Sequence, residues 1–195
     1  FGHSLGSIIN LNFALKYPNQ VKALACWNSG IETGLLPKAS RVILAIEGFF
    51  RNQNLPSLIA WKLSFEAWNA TFKPNRTKFD WLSRDENEVD LYVDDPCCGF
   101  EVSISMWRDI LDGVFYAGNK KNLQKLPKEF PVHIVGGAED PCTQNGGDMK
   151  KLAIKLQNSG LSDVTCTILE GTRHESLNEI NRDQTTKQFI KWLEK

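Results

Sequence analysis

Residues 2–6 read Gly2-His3-Ser4-Leu5-Gly6, a G-x-S-x-G stretch leading straight into a helical period. It describes a strand-to-helix turn with a serine at the apex. So sharp a turn favours neighbours without side chains, which explains a glycine on either side. The hydroxyl of Ser4 then stands above the sheet. The amide of Leu5, at the head of the helix, faces the place where a tetrahedral oxyanion would form, and such a donor contributes on the order of 3 kcal/mol to a transition state. Ser4 is thus the candidate nucleophile and Leu5 the candidate oxyanion donor.

A serine hydroxyl is a weak nucleophile unless a histidine takes its proton and an acid fixes the imidazole. The chain has three histidines. His3 lies inside the turn and is read as pointing away from the hydroxyl, and His133 falls mid-strand, where a structural hydrogen bond is expected. His174, in Glu170-Gly171-Thr172-Arg173-His174-Glu175, is left as the base. The acid belongs after the strand that ends in Gly136-Gly137-Ala138-Glu139-Asp140-Pro141. Asp140 is preferred, because Pro141 fixes the turn behind it and a shorter side chain loses less freedom on ordering; Glu139 is the alternative. The chain order Ser, Asp, His is that of the α/β-hydrolases.

Around these residues, short β-branched runs alternate with helical periods, which predicts an α/β fold with a mainly parallel sheet. Strands are expected at 21–27, 132–136 and 163–169. Helices are expected at 5–16, from Met149 to a stop at Gly160, and from an Asn181 cap with Gln184 three residues on. Residues 34–127 break the alternation and read as a helical lid, with helices near 40–50, 55–69 and 100–117 and an acidic loop between the last two. Residues 1–33 and 128–195 form the core. Phe49, Phe50, Trp61 and Phe65 are candidate substrate-binding residues lining an apolar cleft, though packing of the lid onto the sheet explains each ring as well.

Lys plus Arg and Asp plus Glu both number 23, with a pI near 7.0, so a nucleic-acid partner is not expected. A share of 42% hydrophobic and 24% charged residues suits a globular core rather than a disordered chain. No apolar run approaches the roughly eighteen residues of a spanning helix. The cysteine count of 5 is odd and lacks C-x-x-C spacing, which predicts a reducing, cytoplasmic setting. Cys26 and Cys166 are expected in core strands. Asn69 and Asn75 match a glycosylation pattern too short to carry weight, and the acids at 85–95 lack the glycine and spacing of a calcium loop, reading instead as a solvated face.

The chain resembles the α/β-hydrolases of the monoacylglycerol lipase and lysophospholipase group, also classed with the S33 aminopeptidases. The resemblance runs over the whole length. It is carried by Gly2-His3-Ser4-Leu5-Gly6-Ser7, Phe79-Asp80-Trp81-Leu82-Ser83-Arg84-Asp85, Asp95-Pro96-Cys97-Cys98-Gly99-Phe100, Gly137-Ala138-Glu139-Asp140-Pro141 and Arg173-His174-Glu175-Ser176-Leu177-Asn178-Glu179. It implies Ser4 as nucleophile, Asp140 as acid and His174 as base, with no metal or organic cofactor. The implied substrate is a small acyl ester, lipid-like, with peripheral membrane contact compatible; amide cleavage and a non-catalytic binding role are the alternatives. It further implies strands and an oxyanion loop ahead of Phe1, so the chain is expected to be the C-terminal part of a longer enzyme. Alone it is expected to aggregate or to be nearly inactive.

Overall fold

The computed structural model describes residues 1–194. Four parallel strands lie side by side in sequence order: β1 (Gly2–His3), β2 (Leu24–Trp27), β3 (Val132–Gly137) and β4 (Val164–Leu169). Parallel neighbours require crossovers. These are supplied by α1 (Leu5–Lys16) after β1, by α8 (Gly147–Gln157) after β3, and by a long helical stretch after β2. That stretch holds α2 (Leu35–Phe50), α3 (Leu58–Trp61), a π-turn (Lys62–Glu66), α4 (Ala67–Ala70), α5 (Glu86–Asp94), α6 (Ile104–Ala117) and α7 (Lys120–Leu123). The chain closes with α9 (Arg182–Leu193).

Alternation along the strands builds a core on each face of the sheet. Leu24 and Cys26 of β2 and Val132 and Ile134 of β3 pack with Leu11 and Leu15 of α1 and with Met149, Leu152 and Leu156 of α8. Ala25, Trp27 and Val135 face the other way, against Phe189 and Trp192 of α9. Full burial stabilises by about 1.5–3 kcal/mol for each such large apolar side chain. Among the described residues no helix is long and apolar enough to cross a membrane.

Several local expectations are corrected. The strand expected at 21–27 begins only at Leu24. Cys26 is buried, but Cys166 is exposed, because β4 is the outer strand of the sheet. The acidic stretch is the helix α5 rather than a loop: Asp85 caps it by accepting from the Asn87 amide, and Glu86 and Glu88 sit in its first turn, where the helix dipole favours negative charge. Its acids are also less free than a solvated face implies, since Arg76 pairs with Asp90 and Arg182 with Asp85. Asn181 does precede α9, but its side chain does not cap it; the amide turns back to the Glu170 carbonyl and the Thr172 hydroxyl. Asn69 is buried and donates to the Thr77 carbonyl, so that amide already serves the fold.

Candidate active site

Ser4 sits between β1 and α1 with φ 50° and ψ −122°, a left-handed backbone that costs a side-chain-bearing residue about 1–3 kcal/mol. The surroundings enforce it. The Ser4 amide donates to the Trp27 carbonyl at 2.9 Å, and the buried Ser7 hydroxyl donates to the Gly2 carbonyl at 2.6 Å while accepting from the Trp27 amide at 2.7 Å. A Cβ on Gly2 would lie 2.2 Å from the Gly6 carbonyl oxygen, so this glycine is required by close approach. A Cβ on Gly6 would meet nothing within 4 Å, so the turn demands only one of the two glycines sterically. The Ser4 side chain does not cap α1. Leu5 opens that helix, so its amide is one of the first-turn donors that have no intrahelical acceptor.

Asp140 follows β3 and is fully buried. Its two oxygens each lie 3.1 Å from His174 Nδ1. The carboxylate also accepts from the Cys142 amide at 3.0 Å, the Thr143 hydroxyl at 2.9 Å and the Asn28 side-chain amide at 3.1 Å. Burial alone would raise its pKa, yet His174 and these donors hold it below the ordinary carboxylate range. For His174 burial pushes the pKa down, but the Asp140 carboxylate overrides it and the imidazole rests above its usual value. Glu139 offers only its backbone here, donating to the Thr172 carbonyl at 2.9 Å.

Three neighbours of this pair escaped sequence reasoning. His3 is part of the site: its Nε2 lies 2.8 Å from the His174 carbonyl, and the two rings meet edge-on at 4.9 Å. Asn28 directly follows β2 with φ 49°, donates to Asp140 and accepts from the Ser176 hydroxyl at 2.7 Å. The signal available for it was an asparagine directly after a wholly buried strand. Trp81 is buried with its ring 4.7 Å from that of His174. By contrast His133 is remote from this group, accepting from the Trp27 indole at 3.2 Å and stacking on Trp192 at 4.8 Å.

The aromatic candidates divide. Trp61 and Phe65 stack at 4.7 Å, and Phe65 meets Trp81 at 5.7 Å, so their ring contacts lead to His174. Phe49 and Phe50 meet each other at 5.1 Å and are 83% and 78% exposed on α2. One grouping of potential metal ligands occurs among the described residues, Asp140, Cys142 and His174, whose donor atoms lie within 4.8 Å of one another. Asp140 there also accepts from the Cys142 amide, the Thr143 hydroxyl and the Asn28 side-chain amide.

The fold has counterparts. A thermostable carboxyl esterase from Bacillus coagulans superposes with a TM-score of 0.84 at 21% identity, over 100% of this chain and 63% of its own. A monoacylglycerol lipase from Paleococcus ferrophilus gives 0.73 at 19% identity, over 99% and 66%. A soluble variant of monoglyceride lipase from Saccharomyces cerevisiae gives 0.71 at 17%, over 99% and 60%. The chain thus spans less than two thirds of the length of the esterase, and at these identities the likeness is one of fold, that of the α/β-hydrolases. No curated protein matches it by sequence. Residues 1–181 match the serine aminopeptidase S33 family, and the chain belongs to that family of α/β-hydrolases.

Proposed function

We propose that this chain carries the nucleophile, acid and base of a serine hydrolase for carboxylic esters. The observation that carries the reading is the buried Asp140–His174 pair, 3.1 Å apart, whose His174 loop is bonded at 2.8 Å by His3, the residue before the strained Ser4. His174 takes the Ser4 proton as the hydroxyl attacks the acyl carbonyl, and then protonates the leaving alcohol. Water, activated by the same imidazole, releases the acyl group from Ser4. The Leu5 amide donates to the oxyanion in both halves. Asp140 holds the imidazole with Nδ1–H toward the carboxylate, leaving Nε2 for the serine.

A lipid-like acyl group, as in a monoacylglycerol or lysophospholipid, suits the rings of Trp61 and Phe65, which approach His174 through Trp81. We read residues 34–127 as the lid over that site. The names of the esterase and the two lipases above favour esters. Peripheral membrane contact is supported by Leu35, Leu36, Val42, Ile46, Phe49 and Phe50, all exposed on α2. Cytoplasmic placement rests on the five free cysteines. The amide-cleaving alternative draws on the family's name; within the acidic run that could hold an amine, Asp85 and Asp90 are engaged by arginines. A purely binding role leaves the backbone strain at Ser4 without purpose.

A fluorophosphonate probe tests the reading. Labelling of the full-length protein that disappears in Ser4→Ala and His174→Ala supports it; an unlabelled full-length protein rejects catalysis by Ser4.

A further inference from the structure

His174 lies on a loop with little regular structure, yet several backbone groups around it are held. The Thr172 carbonyl accepts from the Glu139 amide at 2.9 Å, the Arg173 carbonyl from Asn28 at 3.4 Å, and the His174 carbonyl from His3 at 2.8 Å. The Glu175 amide donates to the Leu82 carbonyl at 2.7 Å. The remaining tether, at the Arg173 amide, is the one made by a charged side chain: it donates to Glu179 Oε1 at 2.9 Å.

Glu179 is wholly buried, and its other bonds reach across to residues of the long inter-strand segment. It accepts from the Arg84 amide at 3.1 Å and from Arg84 Nε at 3.0 Å, besides the Ile180 amide at 3.1 Å. The same two stretches are stitched by the Arg173 guanidinium, which donates to the carbonyls of Asp80 at 2.6 Å and Ser83 at 3.0 Å, and by the Ser83 hydroxyl on the Asn178 carbonyl at 2.7 Å. Between these stitches sits Trp81, whose ring covers that of His174.

We propose that Glu179 is a positioning residue for His174, and that its bonds to Arg84 make the imidazole's orientation depend on where residues 80–85 sit. The proposal rests on the role given to His174 above and extends it: the base is held in orientation only while residues 80–85 of the segment read as a lid are seated against its loop. A displacement of 80–85 away from the sheet breaks the Arg84 bonds, frees the Arg173 amide tether and lifts Trp81 from the ring. Catalytic competence then accompanies the seated position only. Because a misplacement of about 1 Å in a reacting group costs on the order of a hundredfold in rate, a single tether of this kind is kinetically visible.

The test uses the full-length protein with Glu179→Gln, whose amide nitrogen cannot accept from donors now bonded to a carboxylate oxygen, and Arg84→Met, which removes the guanidinium bond from the other side and leaves the Arg84 amide bond in place. Expected are a fall in kcat on the order of a hundredfold for Glu179→Gln, a smaller fall for Arg84→Met, and KM little changed. The downfield proton resonance of His174 Nδ1–H, read without substrate, shifts or broadens in both; Arg84→Lys restores part of each effect. A folded variant with lower thermal stability but wild-type kcat and an unmoved resonance overturns the proposal. Should Glu179→Gln fail to fold, Arg84→Met decides alone by the same criteria. An unlabelled wild type whose resonance still moves in the variants defeats the ester hydrolase reading and leaves the positioning role standing.

Discussion

Nε2 of His3 lies 2.8 Å from the carbonyl oxygen of His174, a bond between residues 171 positions apart that ties the serine turn to the loop of the base. Since a carbonyl only accepts, Nε2 carries the proton. Burial and the neighbouring His174 hold His3 below the ordinary imidazole range despite Glu175 nearby, which keeps the ring neutral at pH 7. Replacing His3 by Ala removes this tie and leaves the carbonyl short of a donor. A stability loss of about 1 kcal/mol in denaturant titration and slower fluorophosphonate labelling are expected. Unchanged labelling would mean that the bond does not orient the base.

If His174 is the base proposed above, activity has an acid limb set by it, because the imidazole must be neutral to accept the serine proton. With Asp140 holding it above about 6.5, kcat/KM declines below a midpoint on the alkaline side of that value. Asp140→Asn is expected to lower kcat by about 10⁴ and to move the limb toward acid. Stability follows the opposite signs for the two partners. His174, raised on folding, contributes fully below its unfolded pKa and loses that share as pH rises through the folded one; Asp140, lowered on folding, contributes above its unfolded pKa and loses it as pH falls. A limb centred well below 6.5 in the wild type would contradict the Asp140–His174 coupling.

The end of β3 leaves no room for a side chain at Gly137. A Cβ there would lie 2.3 Å from both the Thr172 and Arg173 carbonyl oxygens, so the loop leading to His174 must move. Gly137→Ala should cost about 1–3 kcal/mol, in the range of other overpacked sites, and reduce kcat more than KM. Thermal melting and steady-state kinetics on one ester check both parts.

Thiol labelling should separate the cysteines by position. Burial pushes the Cys26 thiol up to about 12, and it lies fully inside the core. Cys97 and Cys166 are exposed. A maleimide at neutral pH is expected to modify Cys97 and Cys166 in the native protein and to reach Cys26 only after unfolding, which peptide mass mapping resolves. Rapid native labelling of Cys26 would contradict its burial in β2 against α1.

The parts read without a structure were those governed by local pattern. Glycines around Ser4, β-branched runs at 132–136 and 163–169, and the helix at 5–16 each express a rule that acts within a few residues. A stripe through Leu5, Ile8, Ile9 and Phe13 nevertheless misplaces that helix's inner face, which is Ile8, Leu11 and Leu15, with Ile9 and Phe13 exposed. Where two local rules compete, reading failed. The acids at 85–95 read as a solvated face from their run of like charges, but the Asp85 cap and the dipole of α5 favour helix over the same residues. Cys166 was placed in the core by its β-branched neighbours, although edge or centre is a property of the sheet.

The sequence by itself determined the strand-to-helix turn at Ser4, the alternation of strand and helix, and the short list from which a base and an acid could be drawn, because backbone geometry and side-chain chemistry are local. Only the tertiary structure decided that Asp140 rather than Glu139 faces His174, that His3 and Asn28 join them, and that Glu179 binds Arg84 95 positions away. Those contacts depend on the order and spacing of four strands whose ends meet, and no window of neighbouring residues contains that information.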